Sequence, residues 1–320
     1  MAFYNLENLF DTINNNGKYD LEFSPNGSRR WDGKKYRAKL HNLAKAINAM
    51  KSPTTPLGPA VLGVSEIENI TVLNDLVKEP EIRKDMLRVV HHDSPDRRGV
   101  DVGLLYNPRL FKLINVTNHF LDIGYPTRDQ MVVVGEIAGD TLAVIVNHWP
   151  SRLGGQEQSS PNREAAARLC KHIADSLWQV NPRMGVIVMG DLNDDPDNKS
   201  CAVELGAAKD AEGVGAHGFY NPWWRVLYDN GIGTLAYKGA WNLFDQIIVS
   251  GTLLQSNAPE GGLIYRSCKV NNFDFLYDTE GARQGYPKRT FSGGAWLNGY
   301  SDHFPTEIFL IKEIGSITIK

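Results

Sequence analysis

VIVMGDLNDDPDN, residues 186–198, begins apolar and ends acidic. The run Val186-Ile187-Val188-Met189 is short and β-branched and stops at a Gly-Asp pair, which reads as a buried strand. Asp191, Asn193, Asp194, Asp195 and Asp197 follow at once. Carboxylates at the end of a core strand repel one another and resist losing water, so this strand must deliver them to something that compensates their charge.

Further runs of the same kind occur at 2–5, 60–65, 87–92, 100–106, 111–118, 130–138, 141–147, 244–249 and 304–311, separated by turn residues. Residues 34–50 place Leu40, Leu43, Ala44, Ile47 and Met50 on one helical face. A second helix is predicted over 162–179, after Pro161 and with Asn162 as N-cap, and a shorter one over 71–78. The stretches 11–33, 196–243 and 257–300 are rich in Gly, Asn, Asp and aromatics and read as functional surface loops. Nothing marks a domain boundary, so the expectation is one domain over 1–320, an α/β fold with two packed sheets and helices outside.

Composition excludes some classes. A net charge of -3 gives no strong pull toward nucleic acid or anionic membrane. Cys170, Cys201 and Cys268 are too few and scattered for a disulfide framework or a zinc site and read as small buried hydrophobes. No apolar run is long enough to span a bilayer. The chain opens directly on a strand, as expected where an N-terminal leader has been removed; secreted, periplasmic and cytoplasmic locations all stay open.

Several strand termini share one feature: the apolar run stops and a residue suited to metal or phosphate follows. Asn5 follows Phe3-Tyr4, Glu66 follows Val61–Ser65, His148 follows Val144–Asn147, and Asp191 and Asn193 follow the opening strand. Asp302 and His303 precede the last strand, and Asp245 lies within the apolar 244–248, where a charge is costly unless paired. Taken singly, each is a turn former or cap. As a set, the oxygen donors Glu66, Asp302, Asn5 and Asp191 suit Mg²⁺ or Mn²⁺ rather than zinc, and His148 and His303 suit acid–base work or an oxyanion.

FYNLEN (3–8), VSEIEN (64–69), RGVDVGLLYN (98–107), NHWPSR (147–152), GDLNDDP (190–196), FDQIIVS (244–250) and SDHFPTEI (301–308) together resemble the endonuclease/exonuclease/phosphatase superfamily of DNase I-like, metal-dependent phosphoesterases. The resemblance implies a four-layer α/β sandwich of two mixed β-sheets face to face with helices outside. It also implies roles. Glu66 is the principal metal ligand, Asp302 a second carboxylate near the metal and Asn5 a supporting asparagine. Asp191 orients or deprotonates the attacking water, and Asn193 contacts the scissile phosphate. His303 is the essential histidine, held by Asp245. His148 is a second histidine at the phosphate, with Asp101 as its carboxylate partner. The implied cofactor is Mg²⁺ or Mn²⁺. The implied partner is a phosphate-ester substrate, nucleic acid among the candidates, and no protein partner is expected.

Other residues are open to blander readings. Arg152 and Arg163 either clamp phosphate or pair with a nearby acid. Glu68 reads as a solvated loop acid, and His91 and His92 as surface residues ending a strand. Asp194, Asp195 and Asp197 read as caps of a turn and short helix at 196–205. Phe219, Tyr220, Trp223 and Trp224 either stack on a base or sugar or pack a loop. The expected activity is hydrolysis of a phosphodiester, with a small-molecule, inositol or lipid phosphate as the alternative. A non-catalytic binding module would be expected to lack one of Glu66, Asp191, Asn193 or His303, and all are present. A glycosidase would leave the histidines unexplained.

Overall fold

The computed structural model describes residues 1–14 and 21–313. In chain order the strands are β1 (Ala2–Leu9), β2 (Val61–Ile67), β3 (Arg88–His91), β4 (Asp101–Tyr106), β5 (Lys112–His119) and β6 (Gln130–Ile137). Then come β7 (Asp140–His148), β8 (Gly185–Asp191), β9 (Ala207–Ala208), β10 (Phe219–Tyr220), β11 (Leu235–Tyr237) and β12 (Ala240–Asn242). The last are β13 (Asp245–Ser250), β14 (Ile264–Val270), β15 (Phe291–Ser292), β16 (Ala295–Trp296) and β17 (Thr306–Ile311). The helices are α1 (Gly33–Asn48), α2 (Ile70–Leu76), α3 (Gln156–Val180) and α4 (Trp223–Tyr228).

Two large mixed sheets result, ordered β14-β17-β1-β2-β4-β3 and β5-β6-β7-β8-β13-β10-β9, with two small hairpins beside them. The opening strand explains the layering. Ile187 and Met189 of β8 face the first sheet and join Phe3, Val64 and Leu104 in one core. Val186 and Val188 point the other way, onto Ala166, Cys170 and Ile173 of α3. A strand covered on both faces needs an unbroken apolar run, which is what 186–189 supplies. The sheets approach closely: a Cβ at Gly63 would lie 2.5 Å from Met189 Sδ. On the far side, Leu40, Leu43, Ala44 and Ile47 of α1 are buried, and Leu73 of α2 reaches Gly103 of β4.

All ten expected strands form. Two expectations are corrected. Helix α3 starts at Gln156 rather than 162, with Gly155 as N-cap and Pro161 inside the helix. Asn162 is therefore interior, and its side chain reaches the Tyr125 hydroxyl instead of capping. The stretches 196–243 and 257–300 are not all loop, because the first carries α4 and supplies β10 and β9 to the edge of the seven-stranded sheet, and in the second β14 pairs along β17 as an edge strand. The expected loop 11–33 lies in part, at 15–20, outside the described residues.

Candidate active site

Strand direction decides where the polar termini fall. Strands β1 and β2 run parallel, as do β7 and β8, so Glu66, His148 and Asp191 lie at the carboxyl ends of their strands and Asn5 at the last regularly paired position of β1 before its bulge. Strand β13 runs antiparallel to β8 in a register that sets Asp245 opposite Asp191. Strand β17 runs antiparallel to β1, which brings the preceding Asp302 and His303 to the same end. Gly190 lets β7 and β8 come together just before the acids; a Cβ there would lie 2.2 Å from Asn147 O.

The focus is Asp191 Oδ2. It accepts from Asn5 Nδ2 at 3.0 Å and has His148 Nε2 at 3.6 Å and His303 Nε2 at 4.0 Å. The other oxygen, Oδ1, accepts from the backbone N–H of Asn193 at 3.0 Å, and Asn193 Nδ2 donates to Trp149 O. Burial raises the Asp191 pKa to about 7; Asp245 and Glu66 push the same way, against His303 and the Asn193 N–H.

The two histidines are driven apart. Burial, then Arg128, Arg98 and His303, hold His148 well below its ordinary value, so it is neutral. Its Nδ1 has no hydrogen-bond partner among the described residues. Burial also opposes charge on His303, but Asp245, Asp191 and Asp302 outweigh it and keep the imidazolium well above its ordinary range. The Nδ1–H donates to Asp245 Oδ2 at 2.7 Å, which turns Nε2 toward Asp191 and Asp302, each at 4.0 Å. One neutral and one cationic imidazole beside a raised carboxyl is an acid–base set.

The carboxylates suit a hard divalent cation. Glu66 Oε2 accepts from Asn8 N at 3.0 Å, while Oε1 has His148 Nε2 and Arg98 Nη2 only at 3.9 Å. Asp302 Oδ2 accepts from Arg289 Nη2 at 2.9 Å, while Oδ1 lies 4.0 Å from His303. Each is thus anchored by one oxygen and presents the other, as Mg²⁺ or Mn²⁺ takes single carboxylate oxygens plus waters. The upward pull of Glu66 and Asp245 on Asp191 is the repulsion such an ion would relieve. Asn5 has both ends of its amide engaged, Nδ2 on Asp191 and Oδ1 on Glu7 N, so it orients Asp191.

Other expected roles fall elsewhere. Asp101 is taken by His91 Nε2 at 3.1 Å and by the N–H and hydroxyl of Ser94, so it holds His91 rather than His148. His91 is accordingly no surface residue; its side chain is 4% exposed. Arg152 is spent on the loop after β8, bonding Asn193 O, Asp194, Asp195 and Asn198 and lying over the Phe244 ring. That leaves it an anchor of Asn193 rather than a phosphate clamp. Arg163, fully buried, pairs with Asp194 at 2.8 Å. Glu68 is 2% exposed and accepts from Asp11 N, so it is no solvated acid. Trp223 and Phe219 belong to the core.

A network beneath Asp302 went unread in the sequence. Glu7 accepts from Thr290 N and Oγ1 at 2.7 Å and from Arg289 Nε at 3.3 Å. Lys39, 2% exposed on α1, donates to Thr290 Oγ1 at 2.7 Å and Tyr300 O at 2.5 Å and pairs with Glu7 at 3.4 Å. Burial outweighs its acidic neighbours and lowers the Lys39 pKa. Arg289 links this buried group to Asp302 and so fixes a candidate ligand. The available signal was a lysine sharing a helical face with Leu43 and Ile47, and a glutamate between Leu6 and Leu9.

A model of the Endonuclease/Exonuclease/phosphatase family matches residues 1–312. No curated protein matches. Among solved structures, an endonuclease/exonuclease/phosphatase family protein from Bacteroides thetaiotaomicron is similar with a TM-score of 0.60 at 14% identity, covering 98% of this chain and 97% of that one. TDP2 of D. rerio, humanized by 14 mutations, is similar with a TM-score of 0.59 at 12% identity, over 97% and 98%. The mannosyl-6-phosphatase of Bacteroides thetaiotaomicron is similar with a TM-score of 0.57 at 16% identity, over 97% and 98%. At these identities the likeness concerns the fold, and two facing mixed sheets with helices outside are what it matches.

Proposed function

The chain belongs to the endonuclease/exonuclease/phosphatase family of phosphoester-hydrolysing enzymes, and on that premise we propose that it is a divalent-metal-dependent phosphodiesterase that cleaves a P–O bond by in-line attack of water. The observation that carries the reading is the convergence of Asn5, His148 and His303 on one oxygen of Asp191, from segments that are distant in sequence.

Glu66 and Asp302 would hold the ion, which supplies positive charge to the non-bridging phosphate oxygens. Asp191 takes the proton of the attacking water. Its raised pKa makes it a better base than an ordinary aspartate, and His303, already protonated, is unsuited to that task. His303 stabilises charge on the phosphate through Nε2–H and protonates the leaving oxygen. Neutral His148 and the Asn193 amide orient the phosphate as hydrogen-bonding groups.

A phosphodiester is favoured by the likeness to D. rerio TDP2, one structure of which is complexed with single strand DNA product. A second reading, a small phosphomonoester, is favoured by the net charge of -3, which gives no strong overall pull on a duplex, and by the mannosyl-6-phosphatase likeness. Turnover of bis-p-nitrophenyl phosphate, single-stranded DNA and sugar phosphates with Mg²⁺ or Mn²⁺ separates the two. His303→Ala and Asp191→Asn are each expected to lower kcat by roughly 10²- to 10⁴-fold with the fold intact. Near-wild-type rates in both variants would overturn the assignment.

A further inference from the structure

Beside the catalytic groups, on the His148 side, lies an open cleft of about 630 Å³ that the chemistry above does not use. It adjoins the site through shared wall residues. Arg98, part of its wall, stands 3.9 Å from Glu66, and the wall continues through Pro150 and Ser151, which follow His148-Trp149 directly. Three arginines line it, but they differ. Arg128 is buried and fully engaged, with Nε on His148 O, Nη2 on Trp149 O and Nη1 on Asp96. It builds the wall and pairs with Asp96, the one acid among the described lining residues.

Arg97 and Arg98 are exposed. The contacts of Arg98 with Glu66 and Asp96 are long, both 3.9 Å, and Arg97 makes no ion pair among the described residues. Two exposed arginines thus line one cleft at the edge of a phosphoester site, Arg98 with only long acidic contacts and Arg97 with no ion pair among the described residues. The same cleft also offers apolar surface: Leu153 is 88% exposed and Tyr125 38%. The charge pattern is that of an anion site with an apolar shoulder.

We propose that this cleft is a second-phosphate subsite: the substrate carries, next to the ester that is hydrolysed, a further phosphate bound by Arg97 and Arg98, with the linking group lying on Tyr125 and Leu153. Forked guanidinium donors match a phosphate's oxygens, whereas a neutral sugar would leave both charges unanswered. The inference rests on the phosphoesterase reading and narrows its substrate to a polyanion. The second phosphate has two sources of the same chemistry, a neighbouring nucleotide or a second phosphoryl group on a small polyol.

The test compares kcat/KM within pairs: a dinucleotide with and without a 5′-phosphate, and a sugar bisphosphate against its monophosphate. The wild type is expected to favour the extra phosphate by about 10-fold or more in one pair, and that pair identifies the source. Arg97→Ala/Arg98→Ala should reduce the preference to about 1. No preference in either pair, or one that the double substitution leaves intact, overturns the subsite. Should the wild type hydrolyse nothing, the phosphoesterase reading falls separately, and calorimetric titration in EDTA with the 5′-phosphorylated dinucleotide and the bisphosphate still decides. A loss of about 10-fold in affinity on double substitution supports the subsite; equal affinity, or no binding by the wild type, overturns it. Both side chains are exposed, so thermal unfolding should be unchanged.

Discussion

Asp245→Asn is the sharpest perturbation of the site, because it removes one charge and almost no volume. Asp245 is fully buried and its Oδ2 lies 2.7 Å from His303 Nδ1. An asparagine oxygen can still accept that hydrogen bond, so only the charged part of the interaction is lost. A charge-assisted hydrogen bond exceeds a neutral one by about 1–2 kcal/mol, and two unit charges about 4 Å apart at an effective dielectric constant of 20 interact by about 4 kcal/mol. The imidazolium therefore loses roughly 1–4 kcal/mol, or about 1–3 pKa units. Asp191 and Asp302, both 4.0 Å from Nε2, keep part of the charge in place. The expected result is a kcat at pH 8 lower than the wild type's by about 10- to 10³-fold, a deficit relative to wild type that narrows as pH falls toward 6, whereas the deficit of His303→Ala does not narrow. Stability adds a second readout with a definite sign. The folded His303 pKa lies above its unfolded value of 6.5, so its contribution is full below pH 6.5 and is lost as pH rises through the folded pKa. The metal-free variant should thus be destabilised most near pH 6 and least at high pH. The assays are a pH–rate profile on bis-p-nitrophenyl phosphate at saturating Mn²⁺ and urea melts in EDTA. A kcat profile that matches the wild type would refute the assignment of His303 as the charged acid.

Glu66→Gln should raise the Mn²⁺ concentration for half-maximal activity by about 10-fold or more, checked by metal titration; an unchanged midpoint would remove Glu66 from the metal site. Lys39→Met should cost about 3–5 kcal/mol in urea melts, because Glu7 and Tyr300 O lose a buried partner, and a loss under about 1 kcal/mol would mean that the network beneath Asp302 is solvated. Arg152→Ala frees the loop that carries Asn193, so kcat should fall by about 10-fold with little change in KM; a rise in KM alone would return Arg152 to direct phosphate binding.

Much of this was legible in the sequence because one physical signal served twice. Short β-branched runs mark strands, and a buried strand bounded by an acid marks a site, so β8 ending at Asp191 and β13 starting at Asp245 could be read together. Strand β14 escaped because Ile264–Val270 is an edge strand with largely half-exposed or exposed side chains and gives little apolar signal. The start of α3 escaped because Pro161 normally opens a helix, whereas here Gly155, at φ 120°, and the Ser159 hydroxyl bonded to Gly155 O shape an earlier first turn. Arg289, Glu7 and Lys39 escaped for a topological reason. Lys39 meets Thr290 across 251 residues of sequence, and no local pattern encodes such a meeting.

The backbone of the site carries a cost that indicates what it is shaped for. Glu7, Asn8, Glu66 and Asn193 all adopt left-handed φ values, 47°, 50°, 58° and 51°, although none is glycine. Each such residue costs about 1–2 kcal/mol, less for asparagine. The register shows why Glu66 bears it. Ser65 and Ile67 pair with the adjacent residues Val102 and Asp101 of β4, so Glu66 is one residue too many and forms a bulge. On its other side β1 inserts Leu6, Glu7 and Asn8 between the partners Asn5 and Leu9. A regular strand would alternate its side chains between the two faces of the sheet. The paired bulges instead re-aim Glu66, bring Asn8 N onto its Oε2, and set Glu7 over Arg289 and Thr290. Glycine would relieve the strain at position 66, but it would supply no carboxylate. Arg30, Met86, Ala138, Lys238 and Asn298 adopt the same backbone region outside the site, so left-handed backbone is not confined to it; what sets Glu66 apart is that its strain comes with a bulge that turns a carboxylate out of the strand alternation.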